Sequence, residues 1–200
     1  MRFARRFLIF SYGLFTIAAQ ALLFREFITT FEGNDISVGI FFGAWFLWVG
    51  LGATLVYRAE VVAKKLVENI EFLFLAYLPA FILELILIIQ ARELAGIEPY
   101  ALLSIRAILL LSIVVSAPVS VITGVLFPTA CRWVQQEREL PVSYVYITEA
   151  AGSFTGGLGV TIFLGLGVSP ATIFLMLAFV ICLSVSVIQF AKARERQLDG

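Results

Sequence analysis

Glu84, Arg106 and Glu149 lie inside long hydrophobic runs, and Gln20, Arg25 and Glu26 gather at the end of the first of these runs. An ionised side chain in hydrocarbon costs roughly 3 kcal/mol on insertion scales, so residues of this kind are normally paired or put to use. A carboxylate beside a guanidinium gives an ion pair, which either fixes helix register or lines a polar pocket. A carboxylate without a cation gives a proton or substrate site, or a hydrogen bond across a helix seam. Conventional catalysis has little to build on. Histidine is absent, which removes the commonest general base and every Ser-His triad. Cys131 and Cys182 lack metal-ligand spacing, and the compartment expected for them disfavours a disulfide. No catalytic residue, metal or cofactor is therefore assigned.

Membrane helices must position these groups. The 200 residues are 61% hydrophobic and 14% charged, a balance that excludes a soluble domain. Six stretches, Phe7 to Phe24, Ile36 to Tyr57, Ile70 to Gln90, Ala101 to Phe127, Ser143 to Gly167 and Pro170 to Phe190, each approach the ~20 residues that cross a bilayer as a helix. The predicted fold is all-α, a polytopic bundle of six transmembrane helices forming one domain over residues 1–200. The basic residues alternate between loops. Arg2, Arg5 and Arg6, then Arg58, Lys64 and Lys65, then Arg132 and Arg138, and finally Lys192, Arg194 and Arg196 fall on one side. The intervening loops hold only Arg25 and Arg92, which predicts cytoplasmic termini and an inner-membrane, multi-pass protein. No small-residue cleavage site follows the first apolar run, so it is read as a retained helix.

In that orientation Glu84 lies about two turns from the outer end of the third span, and Arg106 a similar distance from the outer end of the fourth. The two are expected to pair. Gln20, Arg25 and Glu26 reach the same level, so the group would line a pocket opening outward. Glu149, on the cytoplasmic third of the fifth span, has Arg132, Tyr144 and Tyr57 as candidate partners. Trp45 and Trp48 lie mid-span, where they line a cavity or pack, while Trp133 reads as an interfacial anchor. Pro79 and Pro118 are expected to kink their helices and free backbone carbonyls. Pro128 is read as ending the fourth span and Pro141 as preceding the fifth.

Small residues mark packing faces, because helices in lipid gain by close backbone approach. Gly152, Ser153, Gly156, Gly157 and Gly159 make the fifth span central or dimer-forming, and Gly39, Gly43 and Gly50 repeat the device on the second. The run Gly-Ser-Phe-Thr-Gly-Gly-Leu-Gly is not a phosphate loop, since no strand precedes it and no lysine follows. Asn34 or Asp35 is placed to cap the second span. From Arg58 to Asn69, Val61, Val62, Leu66 and Ile70 recur against Lys64, Lys65 and Glu68, which predicts an amphipathic helix on the membrane surface.

Several segments resemble the membrane half of spermidine-synthase-like proteins. They are Ala-Ala-Gln-Ala-Leu-Leu-Phe-Arg-Glu-Phe at 18–27, Phe-Glu-Gly-Asn-Asp-Ile-Ser-Val-Gly-Ile at 31–40 and Trp-Phe-Leu-Trp-Val-Gly-Leu-Gly at 45–52. Gly-Val-Leu-Phe-Pro at 124–128 and Tyr-Ile-Thr-Glu-Ala-Ala-Gly-Ser-Phe-Thr-Gly-Gly at 146–157 follow in the same order. The resemblance implies a helical domain that precedes a cytoplasmic aminopropyltransferase-like domain using a decarboxylated S-adenosylmethionine or related nucleotide. The residues up to Gly200 hold no glycine-rich strand-turn-helix of that kind, so catalysis is not expected of them alone.

The function expected is a non-catalytic membrane subunit or anchor that holds a protein partner or soluble domain in the bilayer, with a homo-oligomer also compatible. The alternatives are a small-solute transporter or half-transporter using the buried charges, and an intramembrane enzyme acting on a lipid or polyamine. No basic face of the size nucleic acid requires is present, so none is expected as a partner.

Overall fold

The computed structural model describes residues 2–98, 101–136 and 141–198; Arg138 lies outside them. Among the described residues there are nine helices and no strand. They are α1 (Arg2–Thr30), α2 (Asp35–Arg58), α3 (Glu60–Glu68), α4 (Ile70–Leu75), α5 (Tyr77–Leu94), α6 (Ile105–Val115), α7 (Ala117–Gln136), α8 (Val142–Gly165) and α9 (Pro170–Leu198). Among the described residues, six stretches are long and apolar enough to cross a bilayer: Phe3–Thr30, Asp35–Arg58, Ile70–Leu94, Ala117–Gln135, Val142–Gly165 and Pro170–Arg194. The chain is an all-α, multi-pass membrane protein.

Local chemistry sets the helix ends. The Asn34 Oδ1 accepts the Ser37 N–H at 2.8 Å, which makes Asn34 the cap of α2 and leaves Asp35 in the first turn. Ser104 and Ser169 cap α6 and α9 through the N–H groups of Ala107 and Thr172. Pro170 then opens α9, where its missing N–H goes unused. Pro141 immediately precedes α8. Gly167, at φ 80°, reverses the chain after α8 in the left-handed region that suits glycine.

Two expectations need correction. The fourth span is not one helix from Ala101 to Phe127, because the chain breaks at Ser116 and only α7 has crossing length. Pro118 causes the break: it has no N–H, and its ring excludes the carbonyl four residues earlier. Pro79 acts similarly, three residues beyond the interruption at Ala76 that separates α4 from α5. Pro128 does not end a helix, since α7 continues through it to Gln136. In the short α3, Ala63 and Val67 are the buried positions, while Val61 and Val62 are exposed beside Lys64 and Lys65.

The chain forms two compact units. The first comprises Met1–Ala21, Lys65–Leu75 and Thr129–Gly200; the second comprises Leu22–Lys64 and Ala76–Pro128. In the first, α1 and α8 meet backbone to backbone. A Cβ at Gly152 or Gly156 would strike the Phe10 or Leu14 carbonyl, and one at Gly13 would strike that of Glu149. Ser11 and Ser184 share a buried hydrogen bond at 2.7 Å, and Lys192 of α9 pairs with Glu71 of α4. Trp133 is not an interfacial anchor, as it is buried beneath the Arg5 guanidinium at 5.4 Å.

In the second unit, α2 approaches α7 closely. A Cβ at Gly52 would lie 2.7 Å from the Val121 carbonyl oxygen, and one at Gly124 would strike the backbone of Val49. Phe24, Phe27, Phe31, Phe41 and Trp45 form a contiguous aromatic cluster at the start of α2.

Candidate functional site

The break at Ser116 determines the chemistry of the second unit. Each helix interruption strands carbonyls in the old last turn and N–H groups in the new first turn, and in lipid these need partners. Side chains of neighbouring helices supply them. The Trp48 indole N–H of α2 donates to the Ile113 carbonyl at 2.7 Å, and the Val119 N–H donates to the Glu84 Oε2 of α5 at 2.9 Å. The Ser116 hydroxyl donates to the Ser112 carbonyl at 2.7 Å, and the Ser120 hydroxyl to that of Ser116. One turn on, Thr123 bonds both the Val119 carbonyl and the Tyr77 hydroxyl, each at 2.9 Å.

These groups form a polar seam inside the span. Tyr77 and Glu84 are seven residues apart, about two turns, and therefore share a face of α5. Ser112, Ser116, Ser120 and Thr123 recur along α6 and α7 at spacings of four, four and three, and all are buried. Glu84 is 0% exposed. Two oxygens in this seam, Glu84 Oε1 and Ser112 Oγ, are buried with no hydrogen-bond partner.

The Glu84–Arg106 pair expected from depth does not form. Arg106 stands in the first turn of α6, exposed, and the Glu84 carboxylate is answered by backbone. Ser104 caps α6 and starts it at Ile105, so Arg106 lies at the very end of the helix and not at the depth of Glu84's bond to Val119. Arg25 is also exposed and Glu26 half-buried on the last turns of α1. Gln20 belongs to the first unit and is half-buried.

Arg92 reads in the sequence as a loop charge, but it organises the end of the second unit. Its Nη2 pairs with Glu32 Oε1 at 2.8 Å, its Nε donates to the Thr30 carbonyl at 2.8 Å, and its Nη1 to that of Ala101 at 3.0 Å. The same Glu32 oxygen accepts the Leu103 N–H at 3.2 Å. Glu32 adopts φ 68°, a left-handed conformation that costs a non-glycine residue about 1–2 kcal/mol. The clamp offsets that cost and holds the α1–α2 turn against the segment before α6.

Glu149 is half-buried in the first unit, with the Ser153 hydroxyl donating to its Oε1 at 2.7 Å. Arg132 and Tyr144 are not its partners: Tyr144 lies under the Arg6 guanidinium at 4.8 Å, and Tyr57 is exposed. Ser153 also reaches the Gly13 carbonyl at 3.3 Å, and Gly157 lies over the Ile17 side chain. Gly159 opens onto a cleft of about 180 Å³ between α1, α8 and α9, lined by apolar groups such as Leu14, Phe163 and Met176. Gly39, Gly43 and Gly50 meet nothing within 4 Å.

Among the described residues no group of His, Cys, Asp and Glu is arranged to hold a metal ion. The fold and the seam define a multi-pass membrane protein with a polar seam inside its second unit. No protein-family model, curated protein or solved structure matches it.

Proposed function

We propose that the chain is a non-catalytic membrane subunit that docks a partner protein through the outward face of α2. The observation that supports this reading is the contrast between glycines on one helix. Gly52 is closed against α7, whereas Gly39, Gly43 and Gly50 stand open with no neighbour. A glycine facing lipid contributes little packing, while the same residues at spacings of four and seven admit a second helix to backbone distance. Exposed Phe46 and Leu47 would flank such a contact. α2 and α8 are the least buried of the six spans.

The basic residues orient the subunit with its termini in the cytoplasm of an inner membrane, with Arg25, Arg92 and Arg106 on the outer side. Lys64 and Lys65 of α3 then face the cytoplasm, where a soluble domain of the partner would lie. The resemblance of the segments at 18–27, 31–40, 45–52, 124–128 and 146–157 to spermidine-synthase-like membrane domains makes an aminopropyltransferase-like protein the partner of choice. The test is co-purification from the native membrane. Gly43→Leu is expected to lose the partner while the chain's own melting temperature holds, because nothing of the described chain lies within 4 Å of a Cβ at that position. Retention of the partner by Gly43→Leu would reject this face.

Transport is the second reading, and Glu84 is the observation that favours it. Interrupted helices beside a buried carboxylate are the arrangement that secondary transporters use for ions and solutes.

A further inference from the structure

We propose that Glu84 Oε1, with the Ser112 hydroxyl, is a binding site for one exchangeable monovalent cation. The inference rests on neither reading above. Glu84 is completely buried, and its carboxylate receives a single hydrogen bond, from Val119 to Oε2. That bond fixes the side chain and leaves Oε1 with free lone pairs and no donor. A lone carboxylate at membrane depth requires a compensating positive charge.

Among the described residues no cationic side chain pairs with it. α2 carries no charge between Asp35 and Arg58, α5 none between Glu84 and Arg92, α6 none after Arg106, and α7 none before Arg132. Arg25 and Arg106 are exposed, and Arg92 is committed to Glu32 and the backbone around it. Tyr77, the other titratable group on this face of α5, bonds Thr123. The compensating charge therefore comes from outside the chain.

The remaining chemistry specifies its valence. One carboxylate balances one unit of charge. The helices packed on this face carry neutral buried hydroxyls, Ser112 on α6, Ser116 at the break and Ser120 on α7, and Ser112 Oγ is buried without a partner. A divalent ion selects several carboxylates or waters in place of such a set. A proton on Oε1 and an alkali cation between Oε1 and the hydroxyls both meet the description, and they differ in what they do to the carboxyl group.

The experiment uses the full chain purified in detergent. Its melting temperature is measured in sodium chloride and in choline chloride at equal ionic strength, and its infrared spectrum is recorded at neutral pH without sodium. Stabilisation by sodium, lost in Glu84→Gln and requiring roughly tenfold more sodium in Ser112→Ala, identifies an alkali cation. A protonated-carboxyl absorption present in the wild type, absent in Glu84→Gln and shifted in Ser112→Ala identifies a proton. A wild-type chain giving neither signal overturns the proposal, and so does either signal persisting undiminished in Glu84→Gln. The wild-type result and Ser112→Ala keep the test decisive if Glu84→Gln does not fold.

Discussion

Glu84 and Glu149 are both carboxyls within apolar spans, yet their surroundings differ. Around Glu149, α8 is unbroken, its glycines bring it against the backbone of α1, and the carboxyl bonds a serine one turn along its own helix. Around Glu84 the helices are interrupted at Ala76 and Ser116, and the carboxyl repairs a backbone gap in another helix. The first region is held by proximity, so its acid is incidental to packing. The second is held by side chains that satisfy stranded backbone, so its acid is structural and still has an oxygen to spare. Polar groups in lipid are thus not of one kind. Their weight depends on whether the backbone beside them is complete.

Substitutions can break or sharpen this contrast. Gly152→Leu has the largest expected effect, about 3 kcal/mol or more, because a side chain there must displace the Phe10 backbone. Reversible unfolding in mixed micelles measures it, and Gly159→Leu, at an open position, serves as the neutral control. Glu84→Ala strands the Val119 N–H and should cost about 1–3 kcal/mol. Arg106→Ala should cost almost nothing and add independently to it, since the two residues do not pair; a non-additive double mutant would restore the ion pair. Trp48→Phe keeps the ring but releases the Ile113 carbonyl, for a loss of about 1 kcal/mol by the same measurement. Glu149→Gln is expected to stay within about 0.5 kcal/mol, because an amide oxygen can still accept from Ser153. A larger loss there than at Glu84 would invert the comparison.

Much of the architecture can be read from residue order. Long apolar runs mark the membrane spans, Asn34 reads as a cap, and Pro141 stands before the fifth span. The interruption at Ser116 is harder to see, because serine is tolerated in membrane helices and Pro118 reads equally as a kink or a stop. The Ser104 cap starts α6 at Ile105 and leaves Arg106 in its first turn rather than two turns inside a span, which is why depth alone mispaired it with Glu84. Pro128 misleads in the opposite direction, as helix α7 tolerates it. The serine spacing through 112, 116 and 120 was visible in the chain but gained meaning only beside Tyr77 and Glu84. Glu32 and Arg92 are sixty residues apart, and no local pattern joins them. On α2, Gly50 and Gly52 look alike in sequence, yet at about 100° per residue they point to opposite sides of the helix. One closes on α7 and the other stays open.

The central claim is that the open face of α2 belongs to a partner. Native mass spectrometry of the chain, extracted from its own membrane in mild detergent at natural abundance, addresses it directly. A stoichiometric complex with a second, different protein is the result expected here. A bare monomer or homodimer, especially one carrying a small bound solute, would contradict it and bring transport to the front.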